Sequence, residues 1–270
     1  MPASSSSEKP IGVFDSGVGG LTVVAALRQL LPHEDIIYLG DTARVPYGGK
    51  SQEMVTRYSM EIADFLFQEN AKIVVVACNT ASALAVPHLK KNYQLPIQSV
   101  IEPGAAAAVK ATRNRIVGVI GTKATTTSKA YHQALDAIQS DLSIISTACP
   151  LLVPLIEEGL FDDEITRAVL RRYLEPMLEK GIDTLVLGCT HYPLLKKAIA
   201  EIAGPHVTLV DSAENCAHAV QSLLEKNQLM TSSIKPGSLD VILTDSSKGF
   251  FHLAAEALQL EINSVRVETI

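Results

Sequence analysis

Short runs of β-branched and aliphatic residues recur along the chain, at residues 11–15, 36–40, 73–77, 97–100, 116–120, 144–147, 185–188, 207–210 and 241–244. Longer stretches with helical patterning separate them and carry helix punctuation: Ser51 ahead of residues 52–70, Pro103 ahead of an Ala-rich turn, and Gly181 after residues 164–180. Strand and helix alternate, so the pattern predicts an α/β fold built on a mostly parallel sheet. Pro176 removes a backbone donor late in one helical stretch and predicts a bend there. Residues 227–238, with Asn227, Pro236, Gly237 and several serines, read as one long surface connection.

One segment echoes another. Val74-Val75-Val76-Ala77-Cys78-Asn79-Thr80 and Leu185-Val186-Leu187-Gly188-Cys189-Thr190-His191 are both apolar strands ending in a small residue, a cysteine, and a hydroxyl or amide residue. Two similar α/β lobes, each presenting one thiol at the carboxyl end of a strand, would gather both cysteines where open α/β sheets bind ligands, in a cleft between the lobes. Each cysteine also precedes a helical stretch, 81–90 or 194–202. Helix N-terminal donors there lower a thiol pKa from the free value of about 8.5, whereas a nearby carboxylate raises it, so the two effects oppose each other and the sequence leaves the balance open. Packing explains one isolated strand-end cysteine, but two in matched contexts point to chemistry.

Around the thiols stand Asp15 and Ser16 after the first strand, Asp41 after the second, Glu157 in a loop at 154–157, and His191 close behind Cys189. A carboxylate or imidazole within reach of a thiol can accept its proton, orient it or tune it. For Asp41, a lone carboxylate at a strand end, helix capping or a turn hydrogen bond is the better explanation. Residues 15–20 fit neither the dinucleotide fingerprint nor the P-loop with its lysine. Their glycines predict a tight turn whose backbone donors approach a small anion such as an amino-acid carboxylate. Residues 46–49 form a rigid turn carrying one phenol, which suits a structural turn or a ligand loop.

Composition narrows the classes. With 270 residues, 47% of them hydrophobic and 19% charged, the chain can bury the cores of two domains. A net charge of −6 opposes a phosphate-binding surface and argues against nucleic acid as the main partner. The apolar runs are far shorter than the roughly 20 residues that span a bilayer. Residues 1–10 lack the apolar region of a secretory signal and read as a floppy tail. Cys78, Cys149, Cys189 and Cys216 are widely spaced without a CxxC, which predicts reduced thiols in a cytoplasmic protein and no metal site.

At this point the chain closely resembles the glutamate racemases of bacterial cell-wall synthesis, nearly end to end. The resemblance rests on four blocks in order: residues 12–22 (GVFDSGVGGLT), 41–48 (DTARVPYG), 77–82 (ACNTAS) and 188–194 (GCTHYPL). It implies two flavodoxin-like lobes, one of residues 1–100 with 212–270 and one of residues 101–211, with the active site between them. It implies that Cys78 and Cys189 are the acid/base thiols, with Asp15 beside the first and Glu157 and His191 near the second. Asp15, Ser16, Tyr47, Gly48, Asn79, Thr80, Thr122, Thr190 and His191 would line the substrate site. The implied activity is cofactor-independent racemisation of L- and D-glutamate, supplying D-glutamate for peptidoglycan. Glutamate is then the small-molecule partner, and a homodimer is an open assembly. The short extension before the first strand sets the chain apart from relatives regulated by a peptidoglycan precursor. An aspartate or hydantoin racemase could use the same paired thiols. A thiol oxidoreductase using Cys78 and Cys189 as a redox pair is a further alternative, opposed by the absence of CxxC.

Overall fold

A computed structural model describes residues 6–246 and 258–270. Among them ten strands form two sheets. They are β1 (Ile11–Asp15), β2 (Ile36–Gly40), β3 (Ile73–Val76), β4 (Ile97–Ser99), β5 (Ile116–Gly121), β6 (Ser143–Ala148), β7 (Thr184–Gly188), β8 (Thr208–Asp211), β9 (Leu239–Leu243) and β10 (Ser264–Val267). The first sheet has the order β10-β9-β2-β1-β3-β4 and the second β6-β5-β7-β8, and every neighbouring pair is parallel. Every residue of β1, β2, β3 and β7 is buried, as expected for parallel strands covered on both faces. The apolar runs in the sequence mark nine of these strands. The tenth, β10, is exposed at all its positions and has no apolar run to announce it.

The two sheets repeat one plan. If each lobe numbers its own strands, β2-β1-β3-β4 and β6-β5-β7-β8 both read 2-1-3-4, so β3 and β7 are equivalent. Cys78 comes just after β3 and Cys189 directly after β7. In each lobe the third strand lies beside the first. Crossovers leave in opposite directions there, and a crevice opens at the carboxyl ends. The internal echo is therefore a structural one.

Helices begin where capping side chains satisfy free backbone donors. Ser51 accepts from the Met54 amide at the start of Gln52–Gln68, Asp163 from Ile165 at Glu164–Leu178, and Asp211 from Ala213 at Ser212–Lys226. Three local expectations change. The helix expected over 81–90 is two, Asn79–Leu84 and Val86–Asn92, divided at Ala85, two residues before Pro87. The stretch 194–202 starts with a 3-10 turn, Tyr192–Leu195, and only then becomes the helix Lys196–Ala203. Glu157 is the last residue of a helix, Leu152–Glu157, not part of a loop. Pro176 falls in the final turn of its helix, where it withholds the bond that an N–H at this position would give to the Arg172 carbonyl.

One apolar cluster joins the lobes. Ile11, Val13 and Val75 of the first sheet belong to it with Val117, Val119 and Val186 of the second. The helices Leu21–Leu30, Ile101–Ala111 and Ser212–Lys226 add their buried faces. Two further clusters cover the outer faces of the sheets. Among the described residues no helix is long and apolar enough to cross a membrane.

At the opposite end of the first sheet Lys72 and Glu34 form an ion pair with side chains only 1% and 2% exposed. The Lys72 ammonium also donates to the Ser7 carbonyl at 2.6 Å, and Glu34 accepts from the Thr231 amide at 2.8 Å. Glu8 accepts from the Ser232 hydroxyl at 2.9 Å. The expected tail is thus ordered from Ser6 and tied to the 227–238 connection, while residues 1–5 lie outside the described residues. Removing one partner of a buried pair strands the other charge. Lys72→Met should therefore lower unfolding stability by about 3 kcal/mol in urea titrations, and adding Glu34→Leu should recover much of it.

Candidate active site

A cavity of about 330 Å³ opens at the carboxyl ends of the central strands, walled by both lobes. The first lobe brings Ser16 after β1, the turn Tyr47–Gly49 after β2, and Cys78, Asn79 and Thr80 after β3. The second brings Thr122 after β5, Glu157 from its helix end, and Cys189, Thr190 and His191 after β7. Asp15 does not line the cavity. It is fully buried behind the wall, where its carboxylate accepts from the Gly17 amide at 3.1 Å and the Thr190 hydroxyl at 3.4 Å.

Cys78 caps the helix Asn79–Leu84. Its sulfur accepts from the Ala81 amide at 3.4 Å and its thiol reaches the Ser16 hydroxyl at 3.6 Å. The helix terminus is present, yet the thiol is not acidified. Burial, reinforced by the negative charge of Asp15, pushes the Cys78 pKa up to about 12 against the opposing amide and hydroxyl contacts. The balance left open by the sequence falls on the side of the protonated thiol, because desolvation of a thiolate and a neighbouring anion outweigh a few oriented dipoles. Burial likewise raises the Asp15 carboxyl, with His191 acting against the rise.

His191 is held between two partners. Its Nδ1 lies 3.8 Å from the Cys189 sulfur and its Nε2 3.3 Å from a Glu157 oxygen. Burial favours neutral imidazole, but Cys189, Glu157 and Asp15 together overcome it and raise the pKa to about 10. The ring is cationic at neutral pH. The Nε2 contact lacks hydrogen-bond alignment, so this buried donor remains unsatisfied. Asn79 supplies another: its Oδ1 accepts from Tyr131 of the opposite lobe at 2.7 Å, leaving Nδ2 buried without a partner. A buried unpaired donor costs about 1–3 kcal/mol, and two beside one cavity suit the capture of an anionic oxygen.

The glycine turn works differently from the expected anion cradle. Gly17, Gly19 and Gly20 are absent from the cavity wall. A Cβ on Gly19 would fall 2.4 Å from His191 Nδ1 and 2.5 Å from the Thr190 hydroxyl, and one on Gly20 would fall 2.5 Å from the Asp15 Cβ. These glycines let the first lobe pack directly on the chemistry of the second. Asp41 is also outside the wall. Fully buried, it accepts from the Tyr47 hydroxyl, from Arg44 Nε at 2.7 Å and from the Thr244 hydroxyl at 2.8 Å, holding the Tyr47 turn from behind.

The wall also contains Val45, Pro46, Lys123, Cys149, Pro150 and Val153. Cys149 follows β6, so the strand-end rule that selected the other thiols reaches it too; Lys123 is legible only as the neighbour of Thr122. Nothing in the sequence marks Tyr131 as the residue that orients Asn79. Among the described residues no group of three or more His, Cys, Asp or Glu could hold a metal ion.

Known proteins resemble this chain in sequence and fold. The Asp/Glu/hydantoin racemase family profile matches residues 21–220. A glutamate racemase of Geobacter metallireducens is 49% identical over 257 residues, 95% of each chain. The structure of a Bacillus anthracis glutamate racemase superposes with a TM-score of 0.94 at 39% identity, covering 98% of both chains. That of a Francisella tularensis glutamate racemase in complex with D-glutamate gives 0.91 at 36% identity, covering 97% of this chain and 98% of the other.

Two measurements follow from the packing around His191. Gly19→Ala must displace the imidazole and should reduce turnover about 100-fold while circular dichroism stays native, since misplacement of about 1 Å carries that penalty. His191 also links stability to pH. Because its folded pKa of about 10 lies above the unfolded value of about 6.5, its contribution is complete below pH 6.5 and is lost as pH rises through 10. The stability gap between the native chain and His191→Asn, read by urea unfolding, should shrink across that window.

Proposed function

The chain belongs to the Asp/Glu/hydantoin racemase family, and from that premise we infer that it interconverts L- and D-glutamate and supplies D-glutamate for peptidoglycan. The observation that carries this reading is that Cys78 and Cys189, from equivalent strands of opposite lobes, line one cavity.

Racemisation removes the α-proton from one face of the carbon and returns a proton to the other. A single base cannot reach both faces unless the substrate turns over, whereas two thiols delivered from two lobes can. With its pKa near 12, Cys78 is protonated at neutral pH and acts as the proton donor. Cys189, with the His191 imidazolium 3.8 Å away, acts as the base. After one turnover the protonation states are exchanged and the enzyme is set for the other enantiomer. Glu157 balances the imidazolium through its ion pair. Asp15 reinforces both sides, raising the Cys78 and His191 pKa values from behind the wall.

Charge accumulates on the substrate carboxylate as the proton leaves. The free Asn79 amide, held by Tyr131, is a preorganised donor for it, and enclosure between the lobes keeps that interaction strong. The proposal assigns all acid/base work to side chains of the chain itself and invokes no cofactor. Four free cysteines suit the reducing cytoplasm as its location.

Cys78→Ser and Cys189→Ser should each lower racemisation at least about 100-fold, the lower range for loss of a general acid or base, with binding of glutamate partly retained. Protein free of pyridoxal phosphate should exchange solvent deuterium into the α-position of glutamate. Full activity in either serine variant would remove the two-thiol assignment, and absence of exchange would remove the racemase reading. Aspartate and hydantoins in the same assay test the pocket's choice of side chain.

A further inference from the structure

The loop that carries Cys189 lacks one internal bond. After β7 the chain turns in steps of three residues: the Tyr192 amide donates to the Cys189 carbonyl at 3.1 Å, and the Leu194 amide to the His191 carbonyl at 3.1 Å. The step between them would run from residue 193 to the Thr190 carbonyl, but residue 193 is proline and has no N–H. Thr190 is buried, so its carbonyl needs a donor from elsewhere. No proline interrupts the Cys78 loop, which enters the helix Asn79–Leu84 directly, and there the Ser82 amide closes on the Cys78 carbonyl at 2.8 Å.

The missing donor comes from the opposite lobe. Thr22, the second residue of the helix Leu21–Leu30, directs its hydroxyl at the Thr190 carbonyl at 3.0 Å. It shares the same proton with the Gly19 carbonyl at 2.9 Å, the short-range bond open to any threonine in a helix. Asp15, at the other end of the same glycine turn, accepts from the Thr190 hydroxyl at 3.4 Å, so the first lobe grips Thr190 by both carbonyl and side chain. Thr190 in turn links Cys189 to His191, whose Sγ and Nδ1 stand 3.8 Å apart. Thr22 itself is buried and lies outside the wall of the thiol cavity, so it acts on the loop and not on the substrate.

We propose that Thr22 is a positioning residue for the Cys189 side of the reaction: it replaces the bond that Pro193 withholds and fixes the peptide between the thiol and the imidazole. The inference rests on the two-thiol racemase reading. Cys78, braced by its own helix, does not depend on Thr22. Loss of the Thr22 hydroxyl should therefore slow one proton transfer and spare the other.

Kinetics of Thr22→Val, Thr22→Ser and Thr22→Ala test it, with L- and D-glutamate carrying hydrogen or deuterium at the α-carbon. Valine keeps the shape and removes the donor, which should lower kcat about tenfold in both directions with KM changed less than about twofold, the order of one buried hydrogen bond. Serine keeps the donor and should stay within about twofold of the native kcat. Should circular dichroism show that valine disturbs folding, serine against alanine makes the same comparison in a smaller side chain. The isotope effects identify the side of the reaction. Once transfer at Cys189 becomes the slow step, the α-deuterium effect should grow for the enantiomer whose α-proton Cys189 removes and shrink toward unity for the other. Cys189→Ser should move the two effects in the same sense and Cys78→Ser in the opposite sense. A kcat unchanged in both Thr22→Val and Thr22→Ala, or a loss that Thr22→Ser shares, would overturn the proposal. So would a loss that leaves both isotope effects at their native values, which marks a merely structural residue. Failure of the underlying reading shows separately, as absence of α-deuterium exchange in the native chain.

Discussion

Two thiols carried by two different lobes line one cavity, and the apolar core shared by the two sheets holds those lobes together. Valines of both sheets and the helices between them form one continuous cluster. Polar contacts at the cavity end complete the register: Thr22 donates to the Thr190 carbonyl at 3.0 Å, and Tyr131 to Asn79 at 2.7 Å. Each of these joins a residue of one lobe to a residue of the other. The relative position of Cys78 and Cys189 is thus set by packing, which tolerates little slack, rather than by the loops that carry them.

Enclosure has an electrostatic cost that the site turns to use. Burial disfavours thiolate, carboxylate and imidazolium alike, and it raises Cys78 and Asp15 accordingly. His191 departs from this trend because three acidic groups surround it. The result is an asymmetric pair, with a protonated thiol on one side and a thiol beside a fixed cation on the other. In a wet site the same residues would titrate close to their ordinary values, and the asymmetry would fade.

The C-terminal part of the chain belongs to this machinery through the first lobe. β9 pairs with β2, and the residues just beyond it bond back to the segment after β2: Thr244 to Asp41, and Thr42 to the Asp245 carbonyl. Asp41 is the hub that passes this restraint to Tyr47. A carboxylate that reads locally as a turn former is, in three dimensions, the support of one cavity wall.

Periodicity and local chemistry are enough to reveal the parallel α/β plan, nine of the strands and the repeated strand–cysteine ending, because buried parallel strands are apolar throughout and helix caps are short-range signals. The exposed edge strand β10 escapes, since its two valines alternate with Ser264 and Arg266 and form no apolar run. The thiol pKa, the role of the glycine turn, the support from Asp41 and Tyr131, and the presence of Lys123 in the wall belong to the tertiary structure alone. Each depends on burial or on contact between residues far apart in the chain. A local pattern reports what a segment prefers by itself; how much water and which distant charges reach it is decided only when the two lobes close on each other.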